Sequence, residues 1–324
     1  DGFTPGIRFH NKTILDKPFI FDVNPIYSIK TQALTGSFSL VVNQNNRNSN
    51  LFNTRYFLSG SYFHYQPDAA YLRFNPSVVK RIRQKDFRDN RIQSIVFRQV
   101  TVHRDETIYE VNEEQNYSVF NARYSNSKNE LTKHFYFNTD FQLAGKFGKL
   151  ATDISFRQLF EDNRQLSLRL YAGSFLYNKS NGDYFSFALD RPTDYLFDYN
   201  YLGRSESTGL YSQQYIIAEG GFKSKLQDQF ANQWMTTLNA GYSIWNWIEA
   251  YGDVGFLKNR YNNPHFVYDS GIRLNLVQDY FELYLPIYSS NGWEIAQPNY
   301  SEKIRFIITL SPRTLTNLFT RKWL

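Results

Sequence analysis

Residues 132–145, "TKHFYFNTDFQLAG", place Phe135, Phe137, Phe141 and Leu143 on alternate positions, with His134, Tyr136, Asn138, Asp140 and Gln142 between them. Successive side chains of an extended strand point to opposite faces, so this segment carries an oily face and a polar face along its whole length. In a soluble sandwich or small barrel the oily face is a shared core and the polar face meets water. A membrane barrel inverts this, with the oily face on lipid and the polar face on the interior. The rest of the chain has to decide between them.

The alternation recurs. In "LATDISF", Leu150, Thr152, Ile154 and Phe156 share a face, and Asp153 and Arg157 lie on the other. Leu166, Leu168 and Leu170 oppose Ser167 and Arg169; from Leu238 to Phe256 the even positions are mostly apolar, while Asn239, Ser243, Glu249 and Asp253 are odd. Near the end Arg273, Glu282 and Arg305 each stand between two apolar neighbours. Period two is the signature of strands.

These strands run about 10 to 14 residues, against five or six in ordinary globular sheets, and spanning a bilayer at a tilt takes about 9 to 11. Turn-forming clusters separate them, such as "NQNNRNSN" at 43–50, "EDN" at 161–163 and "NRYNNP" at 259–264. About sixteen candidate strands can be placed at roughly 20 residues per strand and turn, one of them centred near residue 216. That count puts the long segment 177–210 at the end where turns are expected to be short, which points to a strand missed or split around "YFSFAL" at 184–189. The expectation is therefore 12 to 16 strands, about the range of closed antiparallel barrels.

Composition agrees. Mean hydropathy is −0.53 and 20% of residues are charged, yet 29 Phe and 25 Tyr bring aromatics to 18%. That excess suits an oily outer band flanked by interfacial girdles. No apolar run approaches the roughly 18 residues of a spanning helix, which excludes a helical membrane protein and leaves a barrel open. A soluble barrel of 12 or more strands would have an interior too wide for one layer of side chains to fill. The fold expected is thus all-β: a transmembrane antiparallel outer-membrane β-barrel over residues 1–311.

Residues 312–324 read differently. In "SPRTLTNLFTRKWL", Ser311 can cap, Pro312 opens a first turn, and Leu315, Leu318 and Phe319 are spaced three and four apart, with Trp323 near the end. A short amphipathic helix on the periplasmic-side interface is expected there. Trp245, Trp247 and Trp293 are the other interfacial anchors. On the opposite face Asp140, Asp153, Arg157, Arg169, Glu249, Asp253, Arg273, Glu282 and Arg305 are candidates to face the lumen.

Net charge is +6 with a pI of about 9.2. The densest basic stretch, "KRIRQKDFRDNR" at 80–91, mixes two Asp with six basic residues, the pattern of a solvated strand end more than of a nucleic-acid surface. Absence of Cys removes disulfides, thiolate metal sites and a Cys nucleophile. Asp105, Glu106, Glu110, Glu113 and Glu114 gather near residue 110, but their spacing fits no EF-hand and reads as a solvated loop. No phosphate loop, dinucleotide fingerprint or Gly-x-Ser-x-Gly elbow occurs.

Three passages, "DGFTPGIRFHNKTILDKPF" at the start, "DSGIRLNLVQDYFELYLPIYSSNGWEIAQP" at 269–298 and "IRFIITLSPRTLTNLF" at 304–319, resemble the C-terminal region of Bacteroidota cell-envelope proteins related to gluzincin-type, aminopeptidase-like metallopeptidases. The resemblance implies a barrel following a peptidase domain in the bacterial outer membrane. The His-Glu-x-x-His zinc motif of that domain is not in this sequence, and His10, His64, His103, His134 and His265 have no His partner at helical spacing. No catalytic residue, cofactor or metal ligand carries over. The expectation is a non-enzymatic anchor or scaffold whose partners are outer-membrane lipid and lipopolysaccharide, and envelope proteins; a pore for small solutes is the alternative.

Overall fold

The computed structural model describes residues 3–13, 17–66, 69–84, 86, 88–105, 116–199 and 208–308. The chain is all-β. Its strands are β1 (Phe9–His10), β2 (Phe19–Ser28), β3 (Ala33–Asn45), β4 (Asn53–Gln66), β5 (Ala69–Ile82), β6 (Arg91–Arg104), β7 (Tyr117–Asn129), β8 (Lys133–Ala144) and β9 (Phe147–Leu159). They continue with β10 (Gln165–Asn178), β11 (Phe187–Ala188), β12 (Phe230–Ala231), β13 (Trp234–Trp245), β14 (Ile248–Lys258), β15 (His265–Val277), β16 (Phe281–Ser289), β17 (Gly292–Trp293) and β18 (Arg305–Ile308). One antiparallel sheet holds 16 of them in sequence order, from β1 to β10 and then β13 to β17, with β18 also on β16; β11 and β12 form a separate ladder. No helix among the described residues is long and apolar enough to cross a membrane, which says nothing of strands.

Local chemistry sets the hairpins. Asn163, Asn246 and Asp279 adopt positive φ (62°, 35° and 62°) in the turns after β9, β13 and β15, the conformation that Asn and Asp tolerate best after Gly. Pairing of β5 with β6 runs to Phe74↔Thr101 and resumes at Ser77↔Arg98, skipping Pro76, which has no N–H to give the ladder.

By its contacts the chain divides into two compact units, one of residues 1–130, 135–153 and 174–184, the other of 131–134, 154–173 and 185–324. In the first, the two faces of the opening segment separate, with Phe135 39% and Leu143 43% exposed while Asp140 and Gln142 are buried. Around it Leu34, Val42, Tyr56, Leu72, Phe74 and Phe97 are likewise exposed on the strands.

The second unit shows the same inversion more completely. Along β14 the buried residues are Glu249, Tyr251, Asp253, Gly255 and Leu257, and Val254 and Phe256 are exposed. Asp269 and Arg273 of β15 and Glu282 and Tyr284 of β16 are buried on that same side, in register with β14 through Glu249↔Arg273 and Asp253↔Asp269. Residues from 185–199 and 208–231 cover this side. Phe185, Phe187, Leu189, Phe222 and Leu226 from that segment are buried, as are Met235 and Leu257 of the strands. A Cβ on Gly255 would lie 3.3 Å from the Phe222 ring, so segment and strand meet at van der Waals distance.

Two expectations need correction. Residue 216 is not in a strand: Gln214 makes a single parallel bridge with Phe306, and the Tyr215 N–H donates to Phe306 O at 2.7 Å. Nor does "YFSFAL" supply a spanning strand. Phe185, Ser186, Phe187, Ala188 and Leu189 are all buried, so both faces of that stretch meet protein, and only Phe187–Ala188 pairs, with Phe230–Ala231. Of the strands expected, the one near 216 is absent, and the stretch at 184–189 contributes only the two-residue β11, outside the large sheet. In the second unit the short turns at 246–247 and 278–280 share one end, and the long stretches before β13 and after β16 lie at the other. The helix expected over 312–324, with Leu315, Leu318, Phe319 and Trp323, lies outside the described residues.

Candidate functional site

The polar side of β13–β16 is a charge lattice built around Arg273. Its guanidinium donates to Glu282 at 3.0 Å (Nε) and 2.5 Å (Nη2) and to Glu249 at 3.0 Å (Nη1). Fork-shaped pairing of this kind fixes geometry as well as charge. Asn275 donates to the second Glu249 oxygen at 2.8 Å, and the Tyr284 hydroxyl and the Asp279 N–H donate to Glu282 at 2.5 Å each. All three charged groups are buried.

Beside it sits a lysine from the covering segment. Lys223 Nζ is 2.8 Å from both Asp253 oxygens. Three rings surround it: Tyr251, Tyr215 and Tyr284 at 5.1, 5.8 and 5.9 Å from the ammonium to the ring centroids, the geometry of cation–π attraction. Asp269 accepts the Lys223 and Ser224 N–H groups at 2.8 and 2.6 Å, and Asn239 donates to Asp253 at 3.0 Å. Burial, the largest single influence, lowers the pKa of Lys223, but Asp253, Tyr215 and Asp269 together outweigh it and hold the ammonium above its ordinary value. Burial pushes the Tyr215 phenol up.

The remaining candidates separate. Arg305 pairs with Asp190 at 3.1 Å and donates to Ser212 O at 2.9 Å; burial pushes the Asp190 carboxyl up against the pull of Arg305. Arg169 donates to Asn239 at 3.1 Å and so touches the lattice from β10. Arg157 reaches it only through Asp279, in a two-pronged pair at 2.8 and 2.9 Å. In the first unit Asp140 gathers Asn121, Arg123 and Gln142 at 2.9, 2.7 and 2.6 Å, and Asp153 is half-buried on β9. The anchors Trp245, Trp247 and Trp293 are exposed, the first two at the short-turn end of the second unit and the third at the opposite end.

Sequence reasoning missed Lys223, Tyr215, Tyr251, Tyr284, Asp269 and Asp190. Parity carried part of the signal, since Tyr251 shares its face with Asp253 and Tyr284 with Glu282; nothing local marked Lys223 or Asp190. Chemically the lattice is cohesive, because Arg273 joins Glu249 to Glu282 and Lys223 joins Asp253 to the covering segment. Among the described residues no three His, Cys, Asp or Glu gather as metal ligands. No protein-family profile matches the chain. No curated protein matches it.

Proposed function

We propose that the chain is an outer-membrane β-barrel that acts as an anchor or scaffold. The observation that carries the reading is the inverted burial: charged and amide side chains inside, Leu, Phe, Val and Trp outside. In water such a surface would be a large exposed apolar area, an aggregation hazard; against acyl chains it is the stable arrangement. Aromatic belts add support. At one end of the second unit stand Trp245 and Trp247; at the other Phe256, Phe266, Tyr268, Tyr288 and Trp293 form a run of ring contacts at 5.1 to 5.9 Å. Trp247 and Phe256 are separated by about 30 Å along the strand, which a tilt of about 40° reduces to about 23 Å, comparable with the apolar band of about 25 Å in such barrels. Closure of the sheet would satisfy the backbone groups at its edges.

Support for an anchor over a pore comes from the covered interior. The lattice that an ion would have to cross is tied together by Arg273 with Glu249 and Glu282 and by Lys223 with Asp253, and is overlaid by residues from 185–199 and 208–231. What it holds, on the resemblance described above, is a periplasmic metallopeptidase-like domain or partner subunits of an envelope complex. The test is reconstitution. Detergent-refolded protein should enter lipid vesicles, migrate differently on gels before and after boiling, and pass no current in planar bilayers. Steady single-channel conductance would replace the anchor with a pore, and a monodisperse chain in plain buffer would remove the membrane altogether.

A further inference from the structure

The exposed face of the first unit changes chemistry along its strands. Its middle is an apolar row that crosses β3 to β7 through the register Val42↔Tyr56↔Val78↔Phe97↔Ala122, with Val42, Tyr56 and Phe97 exposed. The next row on this face, toward the turns after β3 and β5, is Gln44, Thr54, Lys80, Ile95 and Tyr124. Beyond it come Ile82, Gln93 and Asn126, and the Gln93 amide donates to the Tyr124 hydroxyl at 2.7 Å. Last are Arg91 and Lys128, directly opposite each other on β6 and β7.

Charge is confined to one end of this face. Along β4–β7 it carries Lys80, Arg91 and Lys128, whereas toward the opposite end the same side offers Tyr62, Leu72, Thr101 and Ser118 and no lysine, arginine or acid. Arg91 is exposed, the Lys128 side chain is 41% exposed and Lys80 is half-buried. Two carboxylates stand near: Glu130 pairs with Lys128 at 2.6 Å, and Asp89 accepts the Arg91 N–H at 3.0 Å. Among the described residues neither the Arg91 guanidinium nor the Lys80 ammonium has a partner. Like charges directly opposite one another destabilise a sheet, so the Arg91–Lys128 pair calls for an anion between them.

We propose that this rim is a binding site for the phosphate of an anionic glycerophospholipid in the surrounding leaflet. The order of chemistry along the strands follows the order of depth in a leaflet: apolar side chains for acyl chains, the Tyr124 hydroxyl and the Gln93 amide for the glycerol and ester level, and cations for the phosphate. Distances agree. Phe97 lies at the middle of β6, and Arg91 stands about 20 Å further along the strand. A tilt of about 40° makes that about 15 Å along the membrane normal, where the hydrocarbon half-layer of about 15 Å ends. Lys80 starts deeper, and a lysine in apolar surroundings buries its stem and lifts its ammonium to the interface. Opposed residues on neighbouring strands have Cα atoms about 5 Å apart, so Arg91 and Lys128 span one phosphate. A zwitterionic headgroup would add its own ammonium to this cluster, which favours an anionic one. This inference rests on the membrane reading above and deepens it by naming the lipid class.

The experiment equilibrates the full chain, refolded in detergent, with mixed micelles of phosphatidylglycerol and phosphatidylcholine in equal amounts, and quantifies the lipid retained after washing by mass spectrometry. A second arm replaces phosphatidylglycerol with lipid A, and a third adds excess inorganic phosphate. Expected is an enrichment of phosphatidylglycerol of about tenfold, no more sensitive to inorganic phosphate than to chloride at equal ionic strength. Arg91→Gln should reduce it about fivefold, and Arg91→Gln with Lys128→Gln should abolish it. Lys30→Gln, which removes an exposed cation from the turn after β2 at the opposite end, should leave it as it is. Equal retention of the two lipids, a preference kept in the folded double variant, or an equal loss in Lys30→Gln overturns the proposal. So does stronger retention of lipid A, which moves the ligand to another lipid, or displacement by inorganic phosphate, which makes the rim a free-anion site. If the double variant does not fold, Arg91→Gln decides. The gel shift on boiling and entry into vesicles report on the barrel separately: a chain that enters vesicles without choosing its lipid sinks this inference alone.

Discussion

Lys223 and Asp253 meet across the buried side of the second unit, with the ammonium 2.8 Å from each carboxylate oxygen, the lysine side chain 9% exposed and the aspartate fully buried. They come from elements of opposite character, an irregular covering segment and a regular strand. Removing one partner strands the other in a dry site, and breaking such pairs costs about 3–5 kcal/mol. Lys223→Met should therefore lower the urea midpoint of the refolded protein strongly. Pairing it with Asp253→Leu should recover most of the loss, because two apolar groups of similar volume are tolerated where one charge is not. A double variant as unstable as the single would mean that the lattice works through something other than mutual neutralisation.

A charge placed on the outer face separates lipid from water as its solvent. Ile272 lies midway along β15, opposite Ala250 on β14 and on the side away from Arg273. In a bilayer, Ile272→Arg should cost about 2–4 kcal/mol, and Trp247→Arg, at the rim, about 0–1 kcal/mol. On a water-exposed surface both would stay within about 0.5 kcal/mol. Unfolding titrations in lipid vesicles give the two numbers, and equal small values would exclude an acyl environment.

How much of this was legible in the sequence follows from what period two can and cannot encode. The alternation at 132–145 puts Asp140 and Gln142 on one face and Phe135 and Leu143 on the other, and in the structure the first pair is buried and the second exposed. It also groups Glu249, Asp253, Arg273 and Glu282 on one face, because a strand's parity is a local property. Their partners were not legible. Lys223, Tyr215 and Asp190 sit in an irregular segment without a strand's parity, and their positions depend on contacts with strands 30 and more residues later. The strand mistakenly expected near 216 has a related origin: Tyr215 and Ala218 are buried and Ile217 is exposed, and so short an apolar run looks locally like part of a spanning strand.

The tryptophans report depth. Trp245 and Trp247 lie at one rim of the exposed face of the second unit and Trp293 at the other, each 46% exposed or more. In single-tryptophan variants, quenching by lipids labelled at graded depths should be strongest for labels near the headgroups, where indole rings settle. Deep quenching of all three would move the membrane off these belts, and no quenching would remove it.

Gly271 tests how closely the inner layers pack. A Cβ there would lie 2.2 Å from Leu285 O and 2.6 Å from the Tyr251 hydroxyl, so alanine can be fitted only by moving the β15–β16 backbone or the Tyr251 ring. That ring is one of three around Lys223. Gly271→Ala should cost about 1–3 kcal/mol, the range of overpacking in a filled core. Gly145→Ala, where an added Cβ meets nothing within 4 Å, serves as the control and should change little. Loss of comparable size at both positions would point to a backbone effect and not to packing.

The last prediction concerns alkali. The folded-state pKa of Lys223 is raised above the ordinary 10.5, so the folded chain binds this proton more tightly than the unfolded one. Its contribution to stability is then fully present below about 10.5 and is lost as pH rises through the higher folded value. The stability difference between the wild type and Lys223→Met should stay level from neutral pH to about 10 and then narrow by up to about 1.4 kcal/mol per pH unit. Asp253 cannot substitute for that loss, since its partner is the proton-bearing group itself. A difference that widens above pH 10, or one that changes between neutral pH and about 9, would show that the ammonium is not what Asp253 and the three tyrosine rings hold in place.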